Sequence, residues 1–295
     1  MALELKNYNS KYTPTWCPGC GNFGIHVALK KALMELNIQP SETFISFDIG
    51  CNGNGADTVG TYAFKTLHGR SIPVAIGAYL ANRKFTVIAD IGDGGCYHEG
   101  LDHLVNAIKS NYDITILIHN NMNFALTTGQ ATVTTPVGKR MYALPNGKPE
   151  RDLDTSAFIM SIKPTFFAKG YSGNLPQLTE IIKKAIQHKG CSVVDISQLC
   201  PTYNKECNPE WFNNNIINID TLDNYSNKSL EDANNLIKEM SKTKKIYTGI
   251  IYVDDSVPTF YDNLESRKGI VSELSEEVKE YNIKEIGRAS CRERV

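Results

Sequence analysis

Short apolar runs alternate with amphipathic stretches along this chain. TFISFDIG (43–50), FTVIADIG (85–92), ITILIHN (114–120), PTFFAKG (164–170), SVVDISQL (192–199) and KIYTGIIYV (245–253) are strand-sized and rich in β-branched and aromatic residues. Between them, Ile25, Leu29, Ala32, Leu33 and Leu36 repeat on one helical face, as do Leu101, Leu104, Val105 and Ile108. Apolar strands alternating with helices predict an α/β fold, a doubly wound and mostly parallel sheet with helices on both faces. Such sheets hold ligands outside the carboxyl ends of their strands, so the residues that follow each strand carry the chemistry.

The pattern changes near residue 202. TYNKECNPEWFNNNIINIDTLDNYSNKSLEDANN is polar and Asn-rich, and predicts a surface arm followed by a small helix–strand–helix element over 228–284. Trp211 and Phe212 in this arm are expected either to anchor it or to cover a site or a partner chain. The last eleven residues, EIGRASCRERV, break the Asn, Ile and Lys style before them and match one reading frame of a common sequencing adapter, so they are set aside as an artefact. The expected organisation is an α/β domain over 1–200, an arm and small extension over 201–284, and the foreign tail over 285–295.

A chain of 295 residues, 41% of them apolar, can bury a large core. Without the three Arg and two Glu of the tail, the formal charge moves only from −1 to −2, and no basic block is present, which argues against a nucleic-acid partner. No apolar run approaches the roughly 18 residues of a spanning helix. The start, MALELKNYNSKYT, lacks a secretory pattern. A cytoplasmic protein without membrane contact is expected, with its cysteines reduced.

Two constellations fall at the expected strand ends. IGDGGCY follows one strand and opens a helix, where glycines and a helix N-terminus can cradle a phosphate. The next strand ends in Asn120-Asn121-Met122-Asn123, so the Asp93 carboxylate, the Asn121 amide oxygen and the Asn123 carbonyl can converge on Mg²⁺. Gly-Asp-Gly followed one βα unit later by Asn-Asn is a thiamine-diphosphate pattern. A nicotinamide site would need G-x-G-x-x-G and an acidic residue after the following strand, neither of which is present. The second constellation is Cys17 and Cys20 in TWCPGCGNFGI, Cys51 in DIGCNGNG and Cys200 in QLCPTYN, four thiols suited to an iron–sulfur cluster or to zinc, with Cys207 in reserve. A thioredoxin-like dithiol is the third reading of the CxxC pair. Cys96 and Cys191 read as small core residues.

WCPGCGNFGI, DIGCNGNG, TLHGRSIPVAIGAYLAN, the GDG and NN pair, LTTGQATVTTPVG and LCPTYN together resemble the beta subunit of 2-oxoacid:ferredoxin oxidoreductases, from about residue 13 to about 213. The resemblance implies oxidative decarboxylation of a 2-oxoacid on thiamine diphosphate, electron transfer through a 4Fe-4S cluster to ferredoxin, and acyl transfer to coenzyme A. It implies Cys17, Cys20, Cys51 and Cys200 as cluster ligands, and Asp93, Asn121 and Asn123 as the Mg²⁺ set. It also implies Ile49, Gly50, Cys51, Asn52, His68, Gly92, Asp93, Gly94, Gly95, Asn121, Asn123, Ala125, Leu126 and Thr127 around the cofactor. Without the resemblance, His68 reads as a hydrogen-bonded histidine at a helix end. The glutamate that activates thiamine belongs, in this family, to an alpha subunit, so the chain alone should be inactive and should act in αβ units, themselves paired.

Three departures stand out: the usual GDGD reads GDGG, N-x-x-Y-G reads Asn-Met-Asn-Phe-Ala, and L-T-K-G-Q carries Thr128 in place of Lys. Loss of that cation weakens recognition of a second substrate carboxylate and favours pyruvate over 2-oxoglutarate. Two other readings are a non-redox thiamine-dependent decarboxylase subunit, which needs no cysteines, and a zinc-stabilised scaffold without activity.

Overall fold

The computed structural model describes residues 3–267 and Glu276. The suspected adapter tail over 285–295 and the end of the expected C-terminal element lie outside the described residues. Helix α1 (Gly21–Glu35) precedes β1 (Thr43–Phe47) and β2 (Tyr62–Lys65); α2 (Ser71–Ala81), β3 (Thr86–Gly92), α3 (Leu101–Ser110) and β4 (Thr115–Asn120) follow. Next come α4 (Thr155–Ser161), β5 (Phe166–Tyr171), α5 (Leu175–Gln187) and β6 (Ser192–Ser197). Then follow α6 (Pro209–Asn215), β7 (Ile216–Asn218), α7 (Leu230–Thr243) and β8 (Ile246–Val253).

The strands form one sheet in the order β2-β1-β3-β4-β6-β5-β8-β7. β1 to β6 are mutually parallel; β8 runs antiparallel to β5, and β7 pairs parallel to β8. The doubly wound, mostly parallel α/β architecture read from the sequence is the observed one. From β1 the chain steps outward to β2, whereas from β3 it steps the other way to β4, so the connections part between β1 and β3. The crevice at such a point is where doubly wound folds take ligands.

Two apolar cores separated by the sheet explain why the central strands read as unbroken apolar runs. Ile25, Leu29 and Leu33 of α1 and Leu178 and Ile182 of α5 pack with Ile88, Leu117 and Val194 on one face. Ile72, Leu104, Ile108 and Ile237 pack with Ala89, Ile116 and Val193 on the other. Every residue of β5 is buried; β4 and β6 are buried except at the last residue, and β3 except at its two ends.

Each apolar run became a strand with its ends shifted by one to three residues: β1 stops at Phe47, where the backbone turns toward Cys51, and β5 runs one residue beyond its run, to Tyr171. The pattern gave no sign of β2, whose four residues are all exposed, because an edge strand with one partner needs no apolar face. The segment expected as arm and extension supplies α7 and β8, and β8 joins the main sheet. Phe212 is buried and stacks on Tyr171 at 4.6 Å, with Trp211 edge-on at 5.1 Å, so this aromatic pair anchors the arm to the sheet. Among the described residues no helix is long and apolar enough to cross a membrane.

Candidate active site

At the end of β3 the chain passes through Asp93 and Gly94 into a single π-helical turn, Gly95–Glu99, before α3 begins. Such turns interrupt regular hydrogen bonding and recur at functional sites. The cleft above this turn is lined by Ile49, Gly50, Cys51 and Asn52 after β1, by His68, by Gly92 to Gly95, and by Asn121, Asn123 and Ala125 to Thr127 after β4. Every cofactor residue implied by the resemblance therefore lines one cleft. His68 lines it while its Nδ1 lies 3.1 Å from Glu99 Oε2, so the residue is both hydrogen-bonded and at the site. A Cβ on Gly94 would lie 2.2 Å from the Phe124 ring, so the glycine is needed for the aromatic to lie across the turn.

Asp93 and Asn121 stand on the adjacent strand ends foreseen from the sequence. The Asp93 carboxylate is buried, and the hydroxyls of Thr132 and Thr134 each donate to its Oδ2 over 2.6 Å. Burial pushes its carboxyl up to about 6, against the lowering effect of these donors. The Asn123 backbone N–H donates to Asn121 Oδ1 at 3.0 Å, which fixes the turn through Met122 at φ 61°. Asn123 Oδ1 is buried with no hydrogen-bond partner. A buried carboxylate beside amide oxygens, one of them unpartnered, is a hard-oxygen donor set that a divalent cation would complete. The residues fit Mg²⁺.

The four cysteines meet on the neighbouring side. The Cys20 backbone N–H donates to the Cys17 carbonyl at 3.0 Å, and Gly21 N–H to Leu199 O at 2.9 Å, so the CxxC turn is tied to the chain leaving β6. A Cβ on Gly24 would lie 2.1 Å from the Ser172 carbonyl, so only glycine allows this close approach. Cys17, Cys20, Cys51 and Cys200 line a single cavity of about 220 Å³, with Trp16 and Tyr203. Burial, and then the three other thiols, push the Cys51 thiol up to about 12; burial likewise raises that of Cys20. Among the described residues no three His, Cys, Asp or Glu side chains are close enough to hold one metal ion. Cys51 borders both this cavity and the cleft, with Asn121, Ala125, Leu126 and Gln198 completing the shared wall. Cys207 lies apart from the four, while Cys96 and Cys191 are core residues.

A buried polar line behind the cleft escaped the sequence reading. His119 Nε2 lies 2.9 Å from Asp90 Oδ2, its Nδ1 lies 2.8 Å from Asn22 Oδ1, and Asn52 Nδ2 donates to Asp90 Oδ1 at 3.0 Å. His119 also lines the cleft. The available signal was an Asp and a His inside apolar runs, TVIADIG and ITILIHN, where a charged group survives only if paired. Asn204 was likewise missed: its Nδ2 donates to the Asn121 carbonyl at 3.2 Å, joining the arm to the cation turn.

Residues 48–196, which hold all of the cleft lining except Gln198, match the model of the thiamine pyrophosphate enzyme C-terminal TPP-binding domain, and the chain belongs to that class. Residues 200–269 match the C-terminal region of the pyruvate ferredoxin oxidoreductase beta subunit. The chain is 36% identical over 261 residues to the 2-oxoacid:ferredoxin oxidoreductase subunit beta of Saccharolobus solfataricus, covering 85% of this chain and 86% of that one. Subunit beta of 2-oxoacid:ferredoxin oxidoreductase 1 from Aeropyrum pernix is 33% identical, covering 89% and 85%. These relatives show that the chain belongs to the beta-subunit family of 2-oxoacid:ferredoxin oxidoreductases. Among solved structures, the 2-oxoglutarate:ferredoxin oxidoreductase of Magnetococcus marinus, with 2-oxoglutarate, coenzyme A and succinyl-CoA bound, superposes with a TM-score of 0.87 at 27% identity, covering 97% of this chain and 96% of that one.

Proposed function

We propose that the chain is the beta subunit of an enzyme that oxidatively decarboxylates a 2-oxoacid to an acyl-CoA and CO₂ and passes electrons through a 4Fe-4S cluster to ferredoxin. The observation that carries this reading is the wall shared by the two cavities: Cys51 borders the thiamine cleft on one side and the four-thiol cavity on the other. A non-redox decarboxylase has no use for thiols placed there. Zinc has no redox chemistry, whereas a 4Fe-4S cluster held by four thiolates carries electrons, which is what thiols at the wall of a thiamine cleft would serve.

Thiamine diphosphate supplies the electron sink for decarboxylation. This chain supplies its diphosphate cradle from Gly92 to Gly95, with Asp93, Asn121 and Asn123 to hold Mg²⁺. Among the described residues no glutamate lines the cleft; in this reading the group that activates the cofactor comes from an alpha subunit, and the chain alone is inactive. Coenzyme A is the acyl acceptor and the setting is cytoplasmic. Pyruvate is the favoured substrate, because Thr128 leaves its turn uncharged. One observation favours 2-oxoglutarate instead: Arg140 lines a cleft with Thr128 and could meet a second carboxylate.

The test is the anaerobically purified complex with its alpha partner. Broad visible absorption bleached by dithionite, with 2-oxoacid-dependent ferredoxin reduction, is the expected result. A colourless complex with one zinc per chain would overturn the redox reading, and full activity of this chain alone would overturn the need for a partner.

A further inference from the structure

Gly95 has no side chain in a place that Asp48 already fills. A Cβ built on Gly95 would lie 1.9 Å from Asp48 Oδ2 and 2.9 Å from its Cγ, with Ile91 Cγ1 at 3.3 Å. Asp48 follows β1, is completely buried, and accepts the Gly69 N–H at Oδ1 over 2.7 Å. Its Oδ2 has no hydrogen-bond partner. Gly69, at φ 71°, is wedged against Glu99, a Cβ there falling 2.8 Å from that of Glu99, and Arg70 Nη1 donates to the Glu99 carbonyl at 2.8 Å. One carboxylate thus joins three segments: the end of β1, the 68–70 turn and the π-helical turn that floors the cleft. His68, next to the held Gly69, lines the cleft and pairs with Glu99.

We propose that Asp48 is a positioning residue for the cofactor floor, and that positions 48 and 95 share room for one carboxylate, supplied from either but not from both. The GDGG departure is then a relocation of the acidic group: Asp48 provides beneath the turn what the usual GDGD would bring from residue 95. An aspartate added at 95 would put its Cβ into the Asp48 carboxylate and crowd two acids in one buried space. Without Asp48 the Gly69 N–H loses its acceptor and the His68 turn is released.

The inference rests on the thiamine reading of the cleft, and the test separates the two. In the complex with the alpha partner, Asp48→Gly, Gly95→Asp, the double variant, Asp48→Ala and Asp48→Asn are compared by thiamine diphosphate affinity and by the thermal midpoint of the cofactor-free complex. Each of the two single swaps should weaken the cofactor by about tenfold or more, since small misplacements at such sites are costly. Gly95→Asp should also lower the midpoint or prevent soluble expression. The double variant should recover both affinity and midpoint, and Asp48→Asn should stay near wild type, because it keeps an acceptor for Gly69. A double variant no better than the worse single, or an Asp48→Ala complex that binds cofactor as wild type does, overturns the inference. Failure of the wild-type complex to bind thiamine diphosphate would instead sink the thiamine reading, with the swap still decided by the cofactor-free midpoints.

Discussion

The Trp16 indole Nε1 donates a hydrogen bond to the Cys51 backbone carbonyl over 2.6 Å. The same ring meets Phe23 and His26 edge-on, at 5.1 and 5.3 Å. One side chain therefore fastens the CxxC turn at the start of the chain to the third cysteine, 35 residues on. Trp16→Phe keeps most of the packing and removes the donor, leaving a carbonyl short of its partner. Such a loss costs about 1 to 3 kcal/mol. Denaturant unfolding should show that loss, and visible absorption should decay faster in air; unchanged values on both counts would contradict the fastening role.

Cys200 borders the four-thiol cavity and not the thiamine cleft. Cys200→Ser should thus separate the two sites: visible absorption and ferredoxin reduction fall away, while thiamine diphosphate affinity, measured by calorimetry, stays within about twofold, because Cys200 is not among the residues of the shared wall. A parallel loss of cofactor binding would mean that the shared wall cannot stand without the cluster.

His26 sets a pH dependence. Burial, and then the nearby Lys30 charge, hold its imidazole down from 6.5 to about 4, with Nε2 3.3 Å from Thr58 Oγ1. The folded state therefore favours the neutral ring. Above pH 6.5 the ring is neutral in both states and contributes no slope. As pH falls from 6.5 toward 4 the unfolded chain gains a proton that the folded chain refuses, and stability drops by up to about 3 kcal/mol. His26→Gln should flatten this part of a stability–pH curve, and an unchanged slope would assign the acid sensitivity elsewhere.

Thr128 is exposed and holds φ 80°, an uncommon conformation for a β-branched residue. Thr128→Lys relieves the branching and places a cation in the neighbouring cleft that Thr128 lines with Arg140. The ratio of kcat/KM for 2-oxoglutarate to that for pyruvate should rise by about tenfold, the order of one new charge pair. If the wild type already prefers 2-oxoglutarate and only Arg140→Ala lowers that preference, the second carboxylate is read by Arg140.

Most parts of the site legible in the sequence follow strands that are buried on both faces; Cys17 and Cys20 were read from their own spacing, and His68 from the resemblance. β3 and β4 announce themselves as apolar runs, so Gly92 to Gly95 and Asn121 could be placed side by side before any coordinates, and Cys51 and Cys200 at the same edge. What was not legible depends on contacts between segments far apart in the chain. The reason for Gly95 lies in Asp48, 47 residues earlier, and the reason Asp90 can be buried lies in His119 and Asn52. β2 was invisible because its exposed Tyr62 and Phe64 follow a glycine-rich stretch and have no apolar alternation to report.

The antiparallel pairing of β8 with β5 also bears on how the chain can be divided. The polypeptide leaves the fourth cysteine, crosses the molecule, and returns to seal the open margin of the sheet beside β5. A fragment ended after Cys200 would keep all four thiols and the whole cleft, yet leave β5 with bare amides and carbonyls along a fully buried strand, an invitation to self-association. The catalytic half of this sequence is thus not a portable module, because its solubility is stored in the residues that follow it.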